Sequence, residues 1–96
     1  MADLHAVLTA SALAHTGPGI LTGLVVSAES DATPPRVIVY DNTAASGTKI
    51  LDAYIADLGT SQPFQIFFSD RFAPRFATGC YIAITGCVVN YWVVGK

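Results

Sequence analysis

Short apolar segments alternate along the chain with clusters of Gly, Pro, Asn, Asp, Ser and Thr, the residues that form turns. The apolar segments are rich in β-branched and aromatic residues, and each is about as long as one strand. This pattern predicts strands over residues 20–28, 36–40, 64–69, 81–85 and 88–94. It predicts turns at residues 17–19, 33–35, 41–47, 59–63, 70–74 and 85–86.

The last two predicted strands, residues 81–85 and 88–94, form the clearest hairpin pattern in the chain, because a Thr-Gly turn separates them. In the register of such a hairpin Cys80 and Cys87 do not face each other. Their Cα atoms are then too far apart for the separation of roughly 5.5–6 Å that a disulfide needs. We expect two buried free thiols, as is typical of a protein made in a reducing cytoplasm.

Two segments do not follow a single pattern. Residues 49–58 place apolar side chains at helical spacing, but they also alternate as a strand does, so both structures stay open. Residues 7–14 contain good helix formers, yet the alternation across residues 4–10 favours a first strand. The chain is divided accordingly into residues 1–16, an N-terminal arm or a first strand, and residues 17–96, the β-sandwich domain.

The absence of strand-helix alternation favours an all-β fold, a single compact antiparallel β-sandwich (jelly-roll-like) of about seven to eight short strands. Two sheets packed face to face enclose a layer about 10 Å thick, which inward side chains must fill. We expect this volume to come from the Val and Ile positions together with Phe64, Phe68, Tyr81 and Trp92.

The composition adds a constraint that the strand pattern does not contain. The 96 residues are 52% hydrophobic and 12% charged, about half the charged share of roughly 25% in ordinary soluble domains. This length supports one domain, and a net charge of -2 offers no cationic surface for nucleic acid. The mean hydropathy is +0.49, but no apolar run reaches the roughly 18–20 residues of a membrane-spanning helix. So much apolar surface indicates that burial is completed against copies of the chain or another protein.

Motifs of catalysis and cofactor binding are missing from the sequence. The 8 glycines match neither a dinucleotide-binding nor a phosphate-binding loop, and no G-x-S-x-G is present. Glu29 and Asp31 fit a solvated loop better than a calcium site or a pair of catalytic carboxylates. His5 and His15 fit structural roles better than that of a general base. We therefore expect no enzyme activity, no cofactor, no metal and no small-molecule substrate.

A loop around residues 70–76 combines arginine and phenylalanine, residue types that are enriched at protein interfaces. Two interpretations stay open for this loop: a binding surface, or phenylalanine rings that cover one end of the core. In the last strand Trp92 follows Tyr91, so one of these two aromatic side chains faces outward. The candidate interface residues are Arg71, Phe72, Arg75, Phe76 and Trp92.

Residues 37–50 contain Tyr-Asp-Asn-Thr at the end of a strand and Ser-Gly-Thr-Lys-Ile at the start of the next. Residues 76–94 contain a Gly-bearing loop, an apolar strand, a Thr-Gly turn and a last strand rich in Val and aromatic residues. Together with residues 19–28, these segments resemble the small β-sandwich decoration or cement proteins found on the capsids of tailed bacteriophages. The resemblance spans most of residues 17–94, and residues 29–35 and 64–76 depart from it.

The resemblance implies a virion structural protein on the capsid surface, assembled in the cytoplasm of a bacterial host. It implies binding to the major capsid protein and to copies of itself, commonly as a trimer, with no catalysis and no cofactor. No membrane is expected as a partner, because no apolar run is long enough to span one. Residues 1–16 are then a hypothetical arm that adds a strand to the sheet of a neighbour. The alternative function is a receptor- or carbohydrate-binding module of a tail fibre or spike. Its candidate aromatic platforms are Tyr40, Tyr54, Tyr91 and Trp92.

Overall fold

The computed structural model describes residues 4–28, 35–54, 64–69 and 73–95, and these residues form nine β-strands and no helix. Residues that pack well on a pleated surface, Val, Ile, Tyr, Phe and Thr, occupy many of the strand positions. In chain order the strands are β1 (Leu4–Leu8), β2 (Ala12–Thr16), β3 (Gly19–Ala28), β4 (Arg36–Tyr40), β5 (Lys49–Tyr54), β6 (Phe64–Phe67), β7 (Arg75–Phe76), β8 (Gly79–Thr85) and β9 (Cys87–Gly95).

The strands belong to two antiparallel sheets. In the first sheet the strand order is β1-β9-β3-β6, and the short β7 pairs with the N-terminal end of β3. In the second sheet the order is β2-β8-β4-β5. The predicted all-β antiparallel sandwich is confirmed. The described residues hold nine strands instead of seven to eight, in part because residues 4–16 contain two.

The core lies between the two sheets and consists mainly of Val, Leu and Ile. Burial alternates along β9, where Cys87, Val89, Tyr91 and Val93 face inward and the residues between them face outward. Each fully buried aliphatic side chain contributes about 1.5–3 kcal/mol through the hydrophobic effect. The buried members of the core cluster are Leu8, Leu21, Leu24, Val26, Val37, Val39, Phe76, Cys80, Ile82, Cys87, Val89, Tyr91 and Val93.

The predicted hairpin of residues 81–85 and 88–94 is wrong. β8 and β9 follow each other through Gly86, which has a φ of 67°, but β8 lies in the second sheet and β9 in the first. β9 pairs with β1 and β3, while β8 pairs with β2 and β4. An alternating pattern shows which side of a strand is buried, but it does not show which sheet the strand joins. The Thr-Gly turn is therefore a corner between the sheets.

The predicted state of the two cysteines is confirmed, although the hairpin used to predict it does not form. Cys80 and Cys87 are both buried thiols, not joined to each other by a disulfide, and one lies in each sheet. The pKa of the Cys80 thiol is raised to about 12, mainly because the thiol is buried. The thiol therefore stays protonated at neutral pH.

The two ambiguous segments form strands where they are described. Of residues 49–58, Lys49–Tyr54 is β5 and residues 55–58 lie outside the described residues. The expected first strand is present as β1, but it does not extend to residue 14, because it ends at Leu8 and the chain passes to the second sheet before β2. β1 and β2 are each the edge strand of one sheet, and each pairs with a strand of its own chain.

Two of the aromatic residues expected to fill the core do not lie in it. Phe64 is 38% exposed at the edge of the first sheet, and Trp92 stands on the outer face of β9. Phe68 and Tyr81 are half-buried. Phe76 and Tyr91 supply the buried aromatic volume instead.

Asp41 ties the end of β4 to the turn that precedes β8. Its carboxylate Oδ1 accepts hydrogen bonds from the backbone N–H groups of Ala77 at 3.0 Å, Thr78 at 2.9 Å and Gly79 at 3.5 Å. These bonds favour the ionised carboxylate and hold the pKa of Asp41 below its ordinary value. The Asp of the Tyr-Asp-Asn-Thr segment therefore has a structural role.

Candidate functional site

The five candidate interface residues do not form one cluster among the described residues. Arg71 and Phe72 lie outside the described residues. Phe76 is only 3% exposed and belongs to the core, and Arg75 next to it is exposed. Trp92 lies on the outer face of the first sheet. Of the five candidates, Trp92 is therefore the one that marks a candidate binding surface on the outer face.

The strand register places three aromatic rings in one line across the first sheet. His5 on β1 is opposite Trp92 on β9, and Trp92 is opposite Gly23 on β3. Gly23 is in turn opposite Phe67 on β6. Residues that are directly opposite in antiparallel strands project from the same face, so the four positions share the outer face. We call His5, Trp92 and Phe67 the aromatic row.

The rings of the aromatic row contact each other. The His5 and Trp92 rings are stacked, with centroids 4.5 Å apart and planes 15° apart. The Phe67 ring is tilted by 54° against Trp92 at a centroid distance of 5.4 Å. Phe67 reaches Trp92 by lying over Gly23, where an added Cβ would come within 2.5 Å of Phe67 Cδ1. Gly23 thus makes the close approach of Phe67 to Trp92 possible.

Two polar contacts hold the aromatic row in place. A bulge in β3 between Leu21 and Gly23 leaves Thr22 as the extra residue, and its hydroxyl donates a 3.1 Å hydrogen bond to the carbonyl oxygen of Trp92. His5 Nε2 lies 3.1 Å from the amide oxygen of Asn90, which accepts its hydrogen bond. The backbone of Trp92 and the imidazole of His5 are therefore both anchored.

The outer face around the aromatic row is weakly charged. A second line of opposite residues runs beside it, formed by Val7, Asn90, Val25 and Gln65. Phe67 is 60% exposed and Val7 is 54% exposed. On the described part of this face, Arg75 is the residue with a formal charge. The face thus combines exposed apolar side chains with amide groups.

The outer face of the second sheet is more polar. Arg36 holds Asp52 through two hydrogen bonds, of 3.1 Å and 2.8 Å, and Lys49 Nζ lies 3.7 Å from the same carboxylate. The hydrogen bond from Arg36 is the main cause that lowers the pKa of Asp52. Tyr54 is 63% exposed at the edge of this sheet. This face has the ion pairs of an ordinary solvated surface, formed by Arg36, Lys49 and Asp52.

Metal-binding clusters, pockets and membrane-spanning helices are absent from the described part of the chain. It contains no group of three or more His, Cys, Asp or Glu side chains arranged to hold a metal ion. No pocket forms in the structure as far as it is described. No helix among the described residues is long and apolar enough to cross a membrane.

Two of the four aromatic candidates for a carbohydrate platform, Tyr91 and Trp92, already contact other groups of the chain. Tyr91 is buried and donates a 3.5 Å hydrogen bond to the carbonyl oxygen of Ala14. One face of the Trp92 ring is covered by His5, and Phe67 approaches Trp92 from the side of β3. A pyranose ring that stacked on the face of Trp92 covered by His5 would first have to displace the imidazole.

Comparison with known proteins finds no matching family model, no similar curated protein and no similar solved structure. The function of the aromatic row therefore rests on its own geometry.

Sequence reasoning found one member of the aromatic row and missed the others. His5 and Phe67 are 62 positions apart in the chain and lie on two different edge strands, and only the strand register brings them to Trp92. A signal was present in the alternation of Phe64 to Phe68, which places Phe67 on the face opposite Ile66. Without the strand order, that outward phenylalanine had no visible partner.

Proposed function

We propose that this protein is a non-catalytic virion structural protein that decorates the capsid and binds capsid protein through the outer face of its first sheet. The observation that supports this proposal is the aromatic row, in which Trp92 is packed between His5 and Phe67 on an exposed, weakly charged surface. Trp is the residue type most enriched at binding hot spots, because one ordered ring buries a large area.

The arrangement of the row also favours binding to a protein surface. Trp92 is already ordered by two ring contacts, so little side-chain entropy remains to be lost on association. Val7 and Val25 extend the apolar surface beside it, and Asn90 and Gln65 provide amide groups. An apolar centre with polar amides around it is the usual composition of a protein interface.

The capsid setting comes from the resemblance of residues 19–28, 37–50 and 76–94 to decoration proteins. The composition supports the same setting, because a chain with 12% charged residues gains most when a partner covers its apolar surface. The aromatic row gives that surface a defined location on the first sheet.

The test measures binding of the purified chain to capsids that lack it, by co-sedimentation over a range of concentrations. We expect Trp92→Ala and Phe67→Ala each to weaken binding about 30-fold, the effect of losing roughly 2 kcal/mol at a hot spot. The matched control is Tyr54→Ala, which removes a comparably exposed aromatic ring from the second sheet.

Unchanged binding by both first-sheet variants, or an equal loss with Tyr54→Ala, contradicts the proposal. A glycan array on the same purified chain tests the alternative of a receptor- or carbohydrate-binding module. Selective glycan binding that Trp92→Ala removes, together with no capsid binding, replaces the proposal with that alternative.

A further inference from the structure

β1 is an edge strand that lacks the features by which edge strands avoid pairing with other chains. It has five residues, no proline, no bulge and no Lys, Arg, Asp or Glu. Of the other strands at sheet edges, β2 has a bulge between Leu13 and His15, β5 carries Lys49 and Asp52, and β6 has only four residues. Charges, bulges and short length are the usual protections of an edge.

Among the described residues β1 pairs with β9 on one side, and its other side is suited to accept another strand. In an antiparallel pair every second residue directs its backbone N–H and C=O away from its partner, so alternate groups of β1 point away from β9. We infer that β1 pairs antiparallel with β1 of a second copy of this chain, about a twofold axis at Ala6. This inference concerns self-association and does not depend on what the aromatic row binds.

The register follows from the alternation of β1. His5 and Val7 face outward with Trp92 and Asn90, and Ala6 and Leu8 face inward with Tyr91 and Val89. A pairing that keeps both faces continuous must set inward positions opposite inward positions. A twofold axis at Ala6 does so, and it is the symmetric register that pairs all five positions. His5 then lies opposite Val7 of the second copy.

The self-pairing is free of charge repulsion and closes on itself. With no Lys, Arg, Asp or Glu on β1, two copies meet without opposed like charges. A twofold interface uses the same residues on both sides and is complete at two copies. The dimer has one continuous eight-stranded layer built from the β6-β3-β9-β1 path of each copy, and both aromatic rows lie on the same face of it.

The test compares wild type with Val7→Lys by sedimentation equilibrium from about 1 to 500 µM, the range in which weak pairs associate. Val7 is 54% exposed, so lysine there fits the single chain while it places two like charges diagonally across the axis. We expect a wild-type dimer and about a tenfold higher dimer dissociation constant for Val7→Lys, because the axis repeats the substitution. The matched control is Leu13→Lys on the edge strand β2. Leu13 is 42% exposed, and we expect this variant to leave the dimer intact.

Hydrogen exchange gives a readout that needs no variant. We expect backbone amide exchange to slow as the protein concentration rises, and only at residues 4–8. A wild-type monomer throughout the range, a trimer, or equal weakening by Val7→Lys and Leu13→Lys overturns the inference. These outcomes leave the capsid-binding proposal standing, since that proposal is tested separately by the capsid binding of Trp92→Ala, Phe67→Ala and Tyr54→Ala.

Discussion

Replacing Gly23 with alanine separates the role of the aromatic row from the stability of the fold. The new Cβ would lie 2.5 Å from Phe67 Cδ1 and 2.7 Å from Cε1, so the Phe67 ring must leave its position over β3. Because Phe67 is 60% exposed, the ring has open space to move into. The substitution thus breaks the contact between Phe67 and Trp92 and leaves the buried core unchanged.

The free energy of unfolding is expected to change little in Gly23→Ala. Alanine in place of glycine inside a strand gains about 0.5–1 kcal/mol from the restricted unfolded chain. Loss of an aromatic pair costs about 0.5–1.5 kcal/mol, so the two effects nearly cancel. Gly19→Ala is the matched control in the same strand, because its Cβ would lie 2.6 Å from the ring of Phe76 and 2.8 Å from the carbonyl oxygen of Val94.

Neither neighbour of Gly19 can move away freely. Phe76 is 3% exposed and the other neighbour is backbone, so Gly19→Ala is expected to cost about 1–3 kcal/mol, the usual cost of overpacking.

Urea unfolding followed by far-ultraviolet circular dichroism measures both variants. The chain contains a single tryptophan, Trp92, so tryptophan fluorescence and near-ultraviolet dichroism report on the aromatic row. We expect Gly23→Ala to change these spectra at nearly constant stability. Equal destabilisation by the two variants, or an unaltered Trp92 spectrum in Gly23→Ala, would refute the reasoning.

Three further predictions concern the core and its anchors. Leu21→Ala is expected to lower the free energy of unfolding by about 3 kcal/mol in urea titrations, because Leu21 is fully buried and leaves a cavity. Thermal unfolding at different pH values tests the role of Asp41. The pKa of Asp41 in the folded protein lies below the ordinary 3.8. Its contribution to the stability of the fold is therefore present above pH 3.8 and is lost as the pH falls through the folded pKa. The stability difference between wild type and Asp41→Asn should therefore narrow in acid, and a constant difference contradicts the assigned hydrogen bonds. A thiol reagent should label neither Cys80 nor Cys87 in the native protein and both after unfolding, since both are buried. Rapid native labelling at neutral pH would contradict their burial.

The sequence predicts the class of fold because strand length and turn chemistry are local properties. β3, β4 and β8 lie close to the segments predicted from β-branched content and flanking turns. Inward and outward positions follow from alternation within a strand, as the buried Val89, Tyr91 and Val93 show. The low charged fraction likewise indicates that apolar side chains remain on the surface.

Strand order is set by pairing between distant segments, and local patterns contain no record of it. The corner at Gly86 has the same residues as a hairpin turn, yet it sends β8 and β9 to different sheets. The aromatic row depends on the same information, since His5, Trp92 and Phe67 meet only when β1, β9, β3 and β6 are neighbours. The bulge at Thr22, which aligns Gly23 with Trp92, is equally invisible in the pattern of apolar residues.

Hydroxyl-radical footprinting of the chain, free and bound to capsids, tests most directly whether the outer face of the first sheet is the binding surface. Oxidation is read at Trp92 and Phe67 on the first sheet and at Tyr54 on the second, and Trp92 and Tyr54 are both reactive aromatic side chains. The prediction is that binding strongly reduces oxidation of Trp92 and Phe67 and leaves that of Tyr54 unchanged. Protection of Tyr54 with unchanged oxidation of Trp92 and Phe67 would contradict it.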